Sequence, residues 1–190
     1  MTNTGALDQL QQVHELNRVF LGLLQSRVRL RRSCLGLPAS AHSPLASAGG
    51  SLLEVAASFP RALFQVNVAS RTAPENAAVG SEPDEAEHDL CFSILFAARQ
   101  TSRQSVYHAR FLFGLEGADI ERFRASPFAE LQQLACVGGV VQCAFREHHW
   151  FWQRLFTATR PELRRQLTLM ALQPSVASGW PQRRPPQPTA

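Results

Sequence analysis

"FLFGLEGADIERF", residues 111–123, decides the fold. Apolar residues crowd around Gly114, a residue type that accepts the left-handed position at a helix C-terminus which other residues resist. A short acidic turn then leads into further apolar positions, so the stretch reads as the end of one helix and the start of a shorter one. "CLGLPASAHSPLA", residues 34–46, reads as a poorer copy of it.

Sliding the chain on itself by 78 residues places Gly36 on Gly114, Leu37 on Leu115, Arg32 on Arg110, Leu53 on Leu131 and Ala57 on Ala135 without a gap. The apolar positions Leu35, Leu45, Phe59, Ala62 and Leu63 fall on Phe113, Phe123, Val137, Val140 and Val141. Recurrence of a helix, a glycine stop and a downstream apolar stripe is the signature of a repeat. A small helical unit with a broad apolar face cannot bury that face alone, so two fused copies are expected to dock as an intramolecular pseudo-dimer.

Outward from these stretches the periodicity is helical. Leu7, Leu10, Val13, Leu16, Phe20, Leu23 and Leu24 form one stripe of a first helix over residues 7–30. From Ser51 the apolar positions Leu52, Leu53, Val55, Ala56, Phe59, Leu63 and Val66 predict a second helix, interrupted or restarted at Pro60. A strongly apolar helix is expected from Leu90, and two short helices after Gly117, the second capped by the Ser126 hydroxyl with Pro127 in its first turn. "REHHWFWQRLF" reads as a turn and a short aromatic segment, and Thr159 with Glu162 forms a capping box for a last helix. The expectation is an all-α fold: a first unit over 1–68, an acidic flexible linker over 69–89, a second unit over 90–172 and a disordered Pro/Arg tail over 173–190.

Composition bounds the function. The chain has 190 residues of which 45% are hydrophobic, enough for one good core or two small ones. No run of 18 apolar residues occurs and the N-terminus lacks a signal layout, so no membrane association is expected and the cytoplasm is the expected compartment. All 19 basic residues are Arg, and the net charge of +4 permits a polyanionic partner without demanding one. Residues 71–90 hold six acids against one Arg, whereas both ends of the chain are basic. The four cysteines show no zinc-finger pairing, and Cys143 beside His148 and His149 reads as a buried thiol next to a polar turn. No phosphate loop, nucleophile set or paired carboxylates stand out, so the chain reads as non-enzymatic, with no cofactor and no small-molecule substrate.

The order of features resembles the flagellar transcriptional regulator family FlhD. Its marks are an apolar first helix and Leu-Gly turn, an acidic short helix, a helix with a Leu-Ala step, an apolar pair, Phe-Arg and a later helix start. Here these correspond to "FGLEGADIERF", Leu134-Ala135, Val140-Val141, Phe145-Arg146 and "ATRPELRRQL". The resemblance covers about residues 88–172, and 10–68 more weakly. It implies an all-α intertwined dimer that joins a FlhC-like protein to bind double-stranded promoter DNA. Leu112 and Cys34 stand where the family has an Arg, with Arg110 and Arg32 two residues earlier as possible substitutes, and a symmetrical disulfide between units is not expected.

For DNA, the candidates are Thr159, Arg160, Arg164 and Arg165 at the last helix start, together with Arg110 and Arg32. The alternative for the helix arginines is a solvated face. For a protein partner, the candidates are His149, Trp150, Trp152 and Arg154, whose alternative is buried core. A helical adaptor without DNA binding is the competing function.

Overall fold

The structure is a computed structural model that describes residues 4–67, 83–146 and 148–157, with Arg165 and Leu169 beyond them. The linker residues 69–82, the capping box at Thr159 and Glu162, and the tail 173–190 lie outside the described residues.

Helix α1 (Thr4–Arg29) carries its stripe inward: Val13, Leu16, Phe20, Leu21 and Leu24 are buried, whereas Leu7 is exposed. The helix closes on Arg31 in the left-handed region, with Arg32 N–H donating to the Arg27 carbonyl and Arg31 N–H to Val28. Gly36 is therefore not the helix stop that its match to Gly114 implies; it sits five residues later in a separate turn with Leu35, both left-handed. A 3₁₀ turn (Ala39–Ala41), α2 (His42–Ser47) and α3 (Gly50–Ala57) follow.

The helix expected to restart at Pro60 does not form. Residues 64–66 instead make strand β1 (Phe64–Val66), because Pro60 lacks an N–H and holds Phe59 away from helical angles. In the second half, α4 (Glu85–Gln104) begins inside the segment read as linker. Asp84 caps it by accepting the Glu87 N–H at 2.9 Å, and Glu85 and Glu87 face the positive helix end.

The long helix breaks at extended Ser105, whose hydroxyl accepts the His108 N–H and starts α5 (Val106–Phe113). Gly114 ends α5 in the left-handed region, as its sequence predicts, with Leu115 N–H reaching back to Ala109. Then come α6 (Gly117–Ala125), α7 (Phe128–Ala135), β2 (Val141–Cys143) and α8 (His149–Thr157). Ser126 does not cap α7: its hydroxyl turns back to the Arg122 carbonyl. The aromatic segment is the helix α8.

The described residues are thus mainly helical, and among them one two-stranded sheet departs from the all-α expectation. β1 and β2 pair antiparallel as Phe64 with Cys143, Gln65 with Gln142 and Val66 with Val141. The ladder continues on both sides, Ala144 N–H donating to Leu63 and Asn67 N–H to Val140. A shift of 77 residues maps each of these flanking bonds onto the other, and Gln65 onto Gln142.

Helices repeat the correspondence at 78 residues: α3 and α7 share both boundaries, and the one-residue difference arises because six residues separate α3 from β1 but five separate α7 from β2. Matched positions are buried alike, as in Val13 and Cys91, Leu16 and Ile94, Asn17 and Leu95, Phe20 and Ala98, Leu45 and Phe123, and Ala57 and Ala135. Helices α1 and α4 pack against each other and run antiparallel, Gln9 bonding Gln104 at one end and Arg27 pairing with Asp84 and Glu87 at the other. Helix α8 crosses to pack on the 3₁₀ turn, α2 and α3 of the first half.

Candidate interface sites

Arg32 and Arg110, equivalent by the 78-residue offset, are both exposed but differently engaged. Arg32 lies 3.4 Å from an Asp84 carboxylate oxygen. Its neighbour Arg27 is buried and reaches Asp84 at 3.0 Å, Glu87 at 2.6 Å and the Ser33 carbonyl. The Glu87 backbone N–H, then Arg27 and Arg32, hold the Asp84 carboxyl below its ordinary range. Arg32 thus serves an internal clamp between the end of α1 and the start of α4. Arg110 extends over Gly117, where an added Cβ would meet its Nη2 at 3.3 Å, and no carboxylate among the described residues pairs with it.

Of the candidate DNA helix, Arg165 is described and exposed. Thr159, Arg160 and Arg164 lie outside the described residues.

On α8 the partner candidates separate by helical face. Phe151, Trp152, Leu155 and Phe156 are buried, and the Trp152 indole N–H donates to the Ala144 carbonyl at 2.7 Å. Trp152 is therefore a core residue and not part of a surface patch. Its N–H is satisfied within the chain and its ring is closed off by Phe151 and Phe156. Trp150 sits at the edge of that core, half-buried against it, with the exposed Arg154 guanidinium 5.3 Å from its ring and the His148 ring stacked at 6.2 Å. His149 is described only as the first residue of α8.

Sequence reasoning missed how the halves lock together. A Cβ on Gly36 would meet Arg146 Nε at 2.7 Å, and one on Gly114 would meet Arg61 Nη2 at 2.6 Å, so each glycine lies beneath an arginine from the other half. Arg61 also lies over the Phe145 ring at 5.8 Å, and burial pushes its guanidinium value down. The carbonyls next to these turns receive crossing bonds, Leu35 from Cys143 N–H and Leu112 from Ala62 N–H. Asn17, fully buried, donates to the carbonyls of Ala57, Phe59 and Arg61 and accepts the Leu63 N–H at 2.8 Å. Cys143 is buried with its thiol pushed far up by desolvation and then by nearby Cys34, which suits packing and not nucleophilic chemistry.

No group of three or more His, Cys, Asp or Glu among the described residues could hold a metal ion. No helix among them is long and apolar enough to cross a membrane. No protein-family model, curated protein or solved structure matches the chain.

Proposed function

We propose that the chain is a tandem fusion of two FlhD-like helical units docked as an intramolecular pseudo-dimer, acting in the cytoplasm as a transcriptional regulator. In this reading it joins a FlhC-like protein on double-stranded promoter DNA at flagellar or motility genes. The observation that carries it is the strand pairing centred on Gln65 and Gln142, where each flanking bond has its counterpart. Contacts in which residue i meets j and j's counterpart meets i's are those of two copies in isologous association. The resemblance of residues 88–172 to the FlhD pattern supplies the function, and exposed Arg165 is consistent with a phosphate-facing last helix.

A gel-shift assay on flagellar promoter DNA, with and without a FlhC-like protein, tests this. The expected result is a salt-sensitive shift that weakens when Arg160, Arg164 and Arg165 are changed to Ala. Absence of a shift in every combination overturns the DNA role.

The competing reading, a helical adaptor, is favoured by the stack in which exposed His148 and Arg154 flank half-buried Trp150. Loss of a captured partner on Trp150→Ala with unchanged DNA behaviour decides for it.

A further inference from the structure

Helix α5 buries Ala109, Leu112 and Phe113 and turns Val106, Tyr107, Arg110 and Phe111 outward. These four are spaced three and four apart, so they form one stripe on the helix surface. Tyr107 is 82% exposed, Phe111 41% and Val106 40%, which makes this the densest run of exposed large apolar side chains among the described residues. Tyr, Phe and Arg together on one helical face are the composition of an interface centre.

The first half indicates what such a surface takes. Arg32, the counterpart of Arg110, is paired with Asp84 at the acidic start of α4. The position that corresponds to Asp84 at the start of α1 is Ala6, and that of Glu87 is Gln9. The buried clamp cation Arg27 falls on Ser105, so the second half keeps neither that cation nor its acids, and of the clamp's arginines only the counterpart of Arg32 remains. Among the described residues no carboxylate pairs with Arg110, which lies beside an exposed tyrosine and phenylalanine. The other two α6-side arginines are already served, Arg122 by Glu130 at 3.6 Å and Arg124 by Glu121 at 3.1 Å.

We infer that the Val106, Tyr107, Arg110 and Phe111 stripe docks an amphipathic helix of a partner protein, whose carboxylate pairs with Arg110 and whose apolar side chains cover Tyr107 and Phe111. The choice of a carboxylate rests on the correspondence of the two halves put forward under the proposed function; the exposure of the stripe does not. Recognition is helix-on-helix through anchors one turn apart, with the charge setting orientation and partner sign.

Tyr107 is the only tyrosine of the chain, so full-length protein grown with 3-fluorotyrosine gives a single fluorine resonance from this surface. The probes are a helical Leu/Glu peptide, with Leu at i, i+3, i+4 and i+7, and a Leu/Lys peptide of the same apolar pattern. The Leu/Glu peptide is expected to shift the resonance saturably and the Leu/Lys peptide is not. Arg110→Ala should weaken the Leu/Glu peptide about tenfold, and Arg110→Glu should reverse the preference. Phe111→Ala should weaken binding with the charge preference retained, and circular dichroism confirms that each variant folds.

No shift with the Leu/Glu peptide overturns the proposal. So do an equal response to both peptides, a shift produced by oligothymidine instead, or one that follows protein concentration alone. Ala6→Asp supplies the missing acid in cis and should block the peptide. Peptide binding that survives Ala6→Asp overturns the correspondence while leaving the surface itself standing, so the two failures are told apart.

Discussion

Where the second half sets Phe92, Phe96 and Phe128 in mutual ring contact at the edge of its core, the first half has, 78 residues earlier, His14, Arg18 and Gly50. There Arg18 pairs with Glu54 at 2.6 Å, both side chains more than half exposed. The inner faces differ in chemistry but not in place: Asn17 and Leu95 are both fully buried, as are Phe20 and Ala98. Burial holds the helix positions, because removing a packed side chain is costly. Less buried positions carry a smaller penalty, and there the two halves differ. The two halves accordingly present an aromatic cluster on one side and an ion pair on the other.

The strongest way to break the comparison is through α8, which belongs to the second half yet packs on the first. Trp152→Ala removes a fully buried ring and its hydrogen bond to Ala144. It should cost about 3–5 kcal/mol and lower the melting temperature by roughly 10 °C. Trp150→Ala, half-buried at the edge of the core, should cost less than Trp152→Ala.

Next comes the exchanged pair Asn17 and Leu95. Asn17→Leu makes the first half resemble the second but strands the Leu63 N–H and the carbonyls of the longer α3 to β1 connection. A loss of about 2–3 kcal/mol in denaturant unfolding is expected. A neutral result would mean that the connection finds other partners.

Smaller effects follow at the two glycines. Gly36→Ala and Gly114→Ala each force a side chain into the left-handed region, about 1–2 kcal/mol, and displace an arginine. Gly36→Ala should be the larger, because its Cβ would meet Arg146 at Nε, Cζ and Cδ and Arg146 is tied to Gln142, whereas at Gly114 only the Nη2 tip of Arg61 is in the way.

The smallest effect is a pH dependence confined to the clamp. Asp84 has its carboxyl value lowered in the fold, so its contribution is present above the unfolded value of about 4 and is lost as the pH falls through the folded value. Unfolding midpoints of wild type and Asp84→Asn, measured from pH 6 down to 2, should converge at the acid end.

Much of the helical skeleton was legible because its cues are local. The apolar stripe of α1, the Gly114 stop and the register of α3 with α7 could all be read from spacing. The Asp84 cap was legible too, since Asp84 and Glu87 have capping-box spacing, but the acidic composition around it reads as linker. The strands were not, because each has three residues and pairs with another 77 positions away. A short apolar run before such a pairing cannot be told from a helix. On α8 the buried residues Phe151, Trp152, Leu155 and Phe156 keep helical spacing, so recognising that helix puts Arg154 outside, Trp150 at the edge of the core and Trp152 within. Asn17 gave no signal: a lone polar residue in a helical stripe acquires its role from a loop more than 40 residues away.

The central claim is that one chain holds two counterpart units joined strand to strand. Nuclear Overhauser contacts in a mixture of isotope-labelled and unlabelled protein test it most directly. Phe64 and Cys143, and Val66 and Val141, should show Hα–Hα contacts within a single chain. Finding those contacts only between different chains, or in another register, would contradict it.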